Sequence, residues 1–596
     1  MKLNKIVIII ALFAMVLSSC NKMDYHEYTA YDKEYIERSF SYVGGFMAKI
    51  YNDIDTDWGN LSGAMLASAT DEAEYSHDGN SIEDFYNGSW SAANPHQTVW
   101  TSAYEGITYC NEFLANWSDL KFEDLSLRLD YEQEMFLYNN YKYEARWARA
   151  YFYFTLVRQY GAVPFKTMNS TGTEETLLPC TSVDSIFSFI ETECDAIKDS
   201  IIADYTNIGE MALYKAQTGR ASKYSVLALK AQAALYHASP LFNKNNDPEL
   251  WHKAALASKE LIEECEKGGK KLAKEIDALW SQDYITNADA YGEILFARRT
   301  PASNSFESYN FPVGYSTAQG GNCPTQDLVD AFDYADGTPF DWAKWQEKYK
   351  AGKSTSPYEN RDPRLAKTVA VNGEAWPNDL EPYNPSYPVL ETYVGGYHSR
   401  TGKSAGASYA TTTSYYLKKY CNPSQILKAR SDYAVTTSPH GWLTFRLGGA
   451  YLNYAEAVFQ WFKSQGKANA ADFKDSEFKV TARELANKTR TRAGVAVFPT
   501  GMTNDEFWGR YKKERQVELA FEGHRFYDVR RWKEDGDKFM KIHRLQITKN
   551  ADGKFEYQPT EFTRGDGKWQ DRWNLFPFSQ TEIMKSQNAI VQNPGW

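Results

Sequence analysis

The sequence predicts an all-α protein: tetratricopeptide-like helix pairs interrupted by long loop-rich insertions. Three observations predict it. Apolar residues recur at helical spacing over several long segments. Those segments come in pairs joined by short turns that carry Gly or Pro. Between the pairs, near 300–326 and 350–441, run stretches rich in Gly, Ser, Thr, Asn, Pro and Tyr with little periodicity. No strict repeat of 34 residues is present, so the pairs read as units split by insertions, not as a regular solenoid.

The N-terminus reads as an address. Lys2 and Lys5 precede an apolar run from Ile6 to Leu17, and Ser18, Ser19 and Cys20 follow. A charged start, a short apolar middle and small residues at the cut make residues 1–19 a signal peptide, too short to span a bilayer as a stable helix. The tetrapeptide LSSC resembles a bacterial lipobox, in which cleavage leaves Cys20 as a lipid-bearing first residue. Residues 20–30 then form a polar tether.

The first helical signal is Tyr143 to Tyr160. Trp147, Ala150, Tyr151, Phe154 and Val157 share one face, widened by Ala148 and Phe152, which predicts a buried helix stopped by Gly161 and Pro164. Arg220 to Ala238 is rich in Ala and Leu and stops at Pro240, so a neighbour can approach closely; that neighbour is Trp251 to Glu266. Leu447 to Lys463 and Val480 to Ala493 repeat the arrangement. The run from Phe507 to Trp532 is helical, charged and aromatic. Phe507 and Tyr511 share one face, and Val517, Ala520 and Phe521 another. The pairs Arg510–Glu514, Arg515–Glu518 and Glu522–Arg525 stand three or four apart, which predicts ion pairs along the helix. Gly523 allows a left-handed turn before a second short helix from His524 to Trp532. Each Arg has a carboxylate nearby, so the stretch reads as a half-buried structural network and not as an anion-binding face.

Composition narrows function. Hydrophobics at 43% and charged residues at 24% suit a globular chain, and 596 residues suffice for several cores. A net charge of −11 without a basic block excludes nucleic acid as the partner. Cys20, Cys110, Cys180, Cys194, Cys265, Cys323 and Cys421 form no CxxC, so no zinc site is expected, and no disulfide pairing is fixed. Asp53, Asp55 and Asp57 have the spacing that opens a calcium loop. Trp58 and Ala64 stand where Gly and Glu are needed, so no metal is expected and the segment reads as a solvated loop or helix start. No cofactor motif is present. Neither HExxH nor GxSxG occurs. Asp71, Glu72, Glu74, Glu83 and Asp84 are the carboxylates from which a glycosidase pair would have to be drawn.

Six blocks carry a family resemblance: EARWARAYFYFTLVRQYGAVPF, CPTQDLVDAF at 323–332, RDPRL at 361–365, YLNYAEAV at 451–458, ERQVELAFEGHRFYDVRRW, and the terminal LFPFSQTEIMKSQNAIVQNPGW. Together they resemble the SusD/RagB family of surface glycan-binding lipoproteins. The resemblance implies a single α-helical domain over 31–596, an outer-membrane, lipid-anchored, surface-exposed location, and no enzymatic activity. It also implies a ligand that is an oligosaccharide or polysaccharide, and a partner that is a SusC-like, TonB-dependent barrel over whose mouth this chain acts as a lid.

In that family the glycan contacts lie in variable loops, so site residues are chosen here by composition. A sugar offers apolar C–H faces and a rim of hydroxyls; flat aromatics suit the first, and Asn, Asp, His or Arg the second. Aromatics make up 15% of this chain. The stretch from Tyr75 to Trp100 sets Tyr75, His77, Trp90 and His96 among Asn, Asp, Ser and Gly. Trp90, beside an Asn-Pro turn, is expected to be exposed, and Trp100 to be core. Tyr309 and Tyr315, and Trp376, are the candidates from the two insertions. Two alternative readings are a non-catalytic scaffold that binds peptide or the barrel alone, and a surface glycoside hydrolase.

Overall fold

The computed structural model describes residues 33–96, 99–169, 177–206, 208, 219–315, 317–376, 387–404, 406–429 and 433–596. The signal peptide, Cys20 and the tether lie outside the described residues, as does Tyr383 of the second insertion.

Nine long helices and a short one carry the frame: α1 (Phe40–Asn52), α2 (Trp100–Glu112), α3 (Tyr131–Tyr160), α4 (Val183–Ile197), α5 (Lys223–Ala238), α6 (Pro248–Lys267), α7 (Leu447–Ser464), α8 (Ala482–Ala493), α9 (Asn504–Glu518) and α10 (Arg525–Arg531). Local chemistry sets their ends. Ser222, Thr481 and Thr503 form capping boxes with Ser225, Glu484 and Glu506. Pro248 opens α6 behind the Asp247 cap. Helix α3 begins earlier than its apolar face indicates, because its first turns carry Glu132 and Glu134 and are only half-buried; from Leu137 onward it is buried over most of its circumference.

From α2 to α8 each helix packs on the next. Helices α6 and α7 pack together although residues 268–446 separate them, so the insertion is looped out of a continuous stack. This is the tetratricopeptide-like arrangement read from the sequence. No helix among the described residues is long and apolar enough to cross a membrane.

The insertions and the chain ends contribute two-stranded antiparallel ribbons. Strand β1 (Ala73–Tyr75) pairs with β3 (Asn322–Pro324), β2 (Ile294–Ser303) with β4 (Ser438–Arg446), and β5 (Lys541–Lys549) with β6 (Phe555–Thr563). Two apolar cores result. One lies between the helices; the other lies beneath the insertions and includes Phe311, Leu365, Tyr415 and Ile547. Helix α9 joins them. Phe507 and Tyr511 enter the helical core, and Val517, Ala520 and Phe521 enter the second, which are the two faces the sequence showed.

The charges of α9 do not pair along the helix as expected. Glu514 accepts from Arg364 at 2.7 Å and from Arg490 at 3.1 Å. Glu518 accepts from Arg446 at 2.6 Å, from Arg364 at 2.8 Å and from Arg492. Glu522 accepts from Arg446 at 2.7 Å and Lys419 at 2.6 Å, and Arg515 donates to Asp528 at 2.7 Å. Arg525 reaches Asp71 at 2.8 Å. With the end of α9 enclosed between two cores, Glu514, Arg515 and Glu518 meet other elements instead of solvent, and the network there is buried, not half-buried. Burial alone would raise the Glu518 carboxyl; Arg492, Arg446 and Arg364 overcome that and hold it well below the carboxylate range.

The Asp53–Asp57 segment has structural duties. Asp55 accepts from Tyr151 and Arg158, each at 2.7 Å. Asp57 is buried against the Leu66 amide, so the loop is not the solvated one expected.

Glu72 gives the fold a pH dependence. Its carboxylate accepts from the Phe521 amide at 2.9 Å, and Phe521 holds a left-handed φ of 59°. Burial, helped by neighbouring Asp71, pushes the Glu72 carboxyl from 4.5 up to about 8. The folded chain therefore binds the extra proton, and this contribution to stability is full below 4.5 and lost as pH rises through about 8. Glu72→Gln is expected to unfold at a higher temperature than wild type at pH 9, on the order of 2 °C, with a smaller difference or a deficit at pH 5. Thermal scans at the two pH values check this; a difference that does not change with pH contradicts it.

Candidate functional site

The site is built around one buried asparagine. Asn322, at the start of β3, accepts from the Met65 amide at 2.8 Å and from Ser68 Oγ at 2.9 Å. Its amide donates to the Gly63 carbonyl at 3.0 Å and to Asn310 Oδ1 at 2.8 Å. A fully satisfied buried amide fixes the 62–68 loop and the turn after Tyr309 to β3, whose backbone pairs with β1.

That clamp assembles an aromatic ledge. A side chain at Gly63, whose φ is +95°, would collide with Tyr75 and Tyr309, so the two tyrosines close over its bare Cα. The backbone at Gly320 and Gly321, with φ of +77° and +48°, passes against the carbonyls of Tyr409 and Tyr309, an approach that Cβ atoms would block. His77 donates from Nε2 to the Gln319 carbonyl at 2.8 Å. Its ring lies 4.8 Å from Tyr75 and stacks on Tyr409 at 4.4 Å and 27°. Tyr409 is 46% exposed, so the ledge ends in an open ring.

Beside the ledge runs a groove of ≈ 760 Å³, within the usual size of ligand sites. The β5–β6 ribbon supplies Arg544, Thr560 and Phe562; the second insertion supplies Thr392, Arg400 and Thr412; the segment after β1 supplies Asp78, Glu83 and Tyr86. Arg544 lies 3.5 Å over the Phe562 ring and forms a bidentate pair with Glu74, one bond at 2.8 Å. Arg400 donates to Asp78 at 3.0 Å, to the Ala410 carbonyl at 3.1 Å and to the Ser76 carbonyl. It thereby ties the groove to both halves of the ledge. Thr392 and Thr412 line the groove with their hydroxyl oxygens turned inward and buried, while Thr401 is exposed on its wall. The surface is neutral in sum, rich in hydroxyls, and edged by aromatic rings.

The sequence candidates divide. Tyr75, His77 and Tyr309 come together in the ledge, although Tyr75 is itself only 5% exposed and offers an edge. Trp90 is not exposed as expected: at 0% it is wholly core. Its Nε1 donates to the Pro95 carbonyl at 3.1 Å, and Phe85, Phe576 and Trp596 close around its ring. His96 is held by Asp84 at 2.9 Å and stacks on Phe85, on the same buried side. Tyr315 and Trp376, 7% and 6% exposed, pack with Phe311 and His398 in the second core. Burial therefore counts against Trp90, His96, Tyr315 and Trp376 as direct contacts. Trp100 is core as expected, at 6%. Together with Tyr104 and Tyr109 it edges a second groove of ≈ 500 Å³ along α2. Sequence reasoning missed Tyr409, Arg400, Arg544 and Phe562. The turn at Asp552-Gly553 between alternating apolar positions was the available signal for the ribbon.

Comparison with known proteins agrees with this architecture. The SusD family model matches residues 277–596, and a second, described as starch-binding associating with outer membrane, matches residues 43–229. A SusD-like protein from Bacteroides fragilis is 22% identical with a TM-score of 0.69, over 94% of this chain and 98% of its own. A SusD-like carbohydrate binding protein from the same organism is 20% identical with a TM-score of 0.64, over 93% and 99%. Surface glycan-binding protein A from Bacteroides uniformis is 17% identical with a TM-score of 0.57, over 93% and 99%. No match is found among curated proteins. With the family model covering more than half of its length, and the helical stack and looped-out insertions already in place, the chain belongs to the SusD family.

Proposed function

We propose that this chain is a surface glycan-binding protein that holds an oligosaccharide in the groove and against the His77–Tyr409 ledge. In this reading Cys20 carries a lipid that keeps residues 31–596 as one body at the outer membrane, and the bound glycan passes to a SusC-like, TonB-dependent barrel. The observation that carries the proposal is the open ring of Tyr409, stacked on His77, at the edge of a groove walled by hydroxyls. The C–H face of a sugar packs on such a ring, and its hydroxyls exchange hydrogen bonds with the exposed polar side chains of the groove, Asn87, Thr401 and Gln546. The names of the relatives point the same way. Two of the groove's carboxylates, Glu74 and Asp78, are paired with arginines, an arrangement that suits holding a sugar and leaves neither free for acid–base work.

The test is retention of the purified chain in gels containing polysaccharide. At least one glycan of a broad panel is expected to retard it, with no fragments released on prolonged incubation. Free passage through every member of the panel contradicts the proposal, and released fragments favour the hydrolase.

A further inference from the structure

The groove's charge pairing narrows the ligand further. We infer that the site selects neutral glycans and rejects those bearing carboxylates, with the Asp78–Arg400 pair as the discriminating element. The inference rests on the glycan-binding reading above and adds to it a substrate class.

The described lining residues include three arginines and no lysine; two of the guanidiniums are paired with carboxylates and the third, Arg564, is buried. Arg544 is held by Glu74 and lies flat on Phe562. Arg564 is buried and donates to the carbonyls of Thr70 and Ala73, both at 2.7 Å, and of Ser68 at 3.1 Å. Arg400 is held by Asp78 and two carbonyls. An anionic sugar thus meets no exposed, unpaired cation among the described lining residues. To gain one it must displace a carboxylate, and the carboxylate that moves most readily is Asp78, whose side chain is 85% exposed against 31% for Arg400.

The carboxylates add repulsion. Glu83 accepts from the Gly79 amide at 2.7 Å and has no ion-pair partner among the described residues; it is less buried than Arg564, the lining's other charge without a carboxylate or guanidinium partner. Inside a partly enclosed groove, like charges interact more strongly than in bulk water. A neutral polyol meets none of this. Its hydroxyls both donate and accept, which matches the Thr and Ser side chains that make up much of the wall.

The experiment uses the full chain and the best-retained neutral glycan, before and after oxidation of its primary hydroxyls to carboxylates. Titration calorimetry is expected to show at least ~10-fold weaker binding of the oxidised form, about 1.4 kcal/mol. In Asp78→Asn, which leaves Arg400 without its carboxylate, the ratio of oxidised to neutral affinity is expected to rise about tenfold, and the gain should shrink with added salt. Equal or tighter binding of the oxidised glycan by wild type overturns the inference while leaving glycan binding intact. An unchanged ratio in Asp78→Asn overturns the role given to the ion pair. Failure to bind any glycan, neutral or oxidised, overturns the underlying reading instead.

Discussion

Glu518→Ala is expected to cost the fold at least about 4 kcal/mol, because breaking a buried ion pair by removing one partner costs about 3–5 kcal/mol and this carboxylate serves several. Its loss leaves Arg364, Arg446 and Arg492 sharing an enclosed space with one fewer countercharge. Gly448 packs against Glu518 and the Arg446 guanidinium with no room for a Cβ, so a water-filled rearrangement has little space. The damage is not local. Arg446 ends β4, Arg364 lies within RDPRL, and Arg492 lies on α8, so the two cores lose their common tie. Urea unfolding of the purified variant measures the loss. A change under about 1 kcal/mol would mean that the network relaxes without Glu518. The neighbouring pair Asp528–Arg515 also resists acid. Burial raises the Asp528 carboxyl, but Arg515 and Arg531 overcome this and pull it down to about 2, so its contribution is full above 3.8 and is lost only as pH falls through about 2.

The second large effect is on binding. Tyr409→Ala removes the open ring of the ledge and leaves His77 without its stacking partner. A stacked aromatic contributes about 0.5–1.5 kcal/mol beyond its buried area, so a loss of roughly tenfold in glycan affinity is expected. Stability should hardly change, since Tyr409 is 46% exposed and its side chain supports no core residue.

These two predictions fall on different parts of the chain, and that division explains what the sequence could tell. The blocks that resemble the family are the scaffold. Arg361 of RDPRL donates to the carbonyls of Val329 and Phe332 in CPTQDLVDAF, at 2.5 Å and 2.6 Å. Asn453 and Glu456 of YLNYAEAV receive Arg515 and Arg531 at 2.7 Å and 2.6 Å. Their residue types identify a buried frame because the helical period and the caps are local signals. Their partners are far away in sequence, so the pairing was not legible, and the expected pairs along α9 were replaced by longer-range ones.

The site was legible only in part. Tyr75, His77 and Tyr309 stand among Gly, Asn and Ser, a composition that marks an ordered polar loop with rings in it. Trp90 has the same surroundings, yet the C-terminal residues Phe576 and Trp596 cover it, and no local signal announces a lid that distant. Tyr409 and Arg400 lie in an aperiodic insertion, where only the folded positions of Gly320 and Ser76 show what they touch.

In the proposed function the glycan lies at the ledge and groove, and not at the aromatic groove along α2. The direct measurement is titration of one retained glycan into wild type, Tyr409→Ala and Tyr109→Ala side by side. About tenfold weaker binding is expected for Tyr409→Ala and wild-type affinity for Tyr109→Ala. Weakened binding in Tyr109→Ala with Tyr409→Ala unaffected would contradict it.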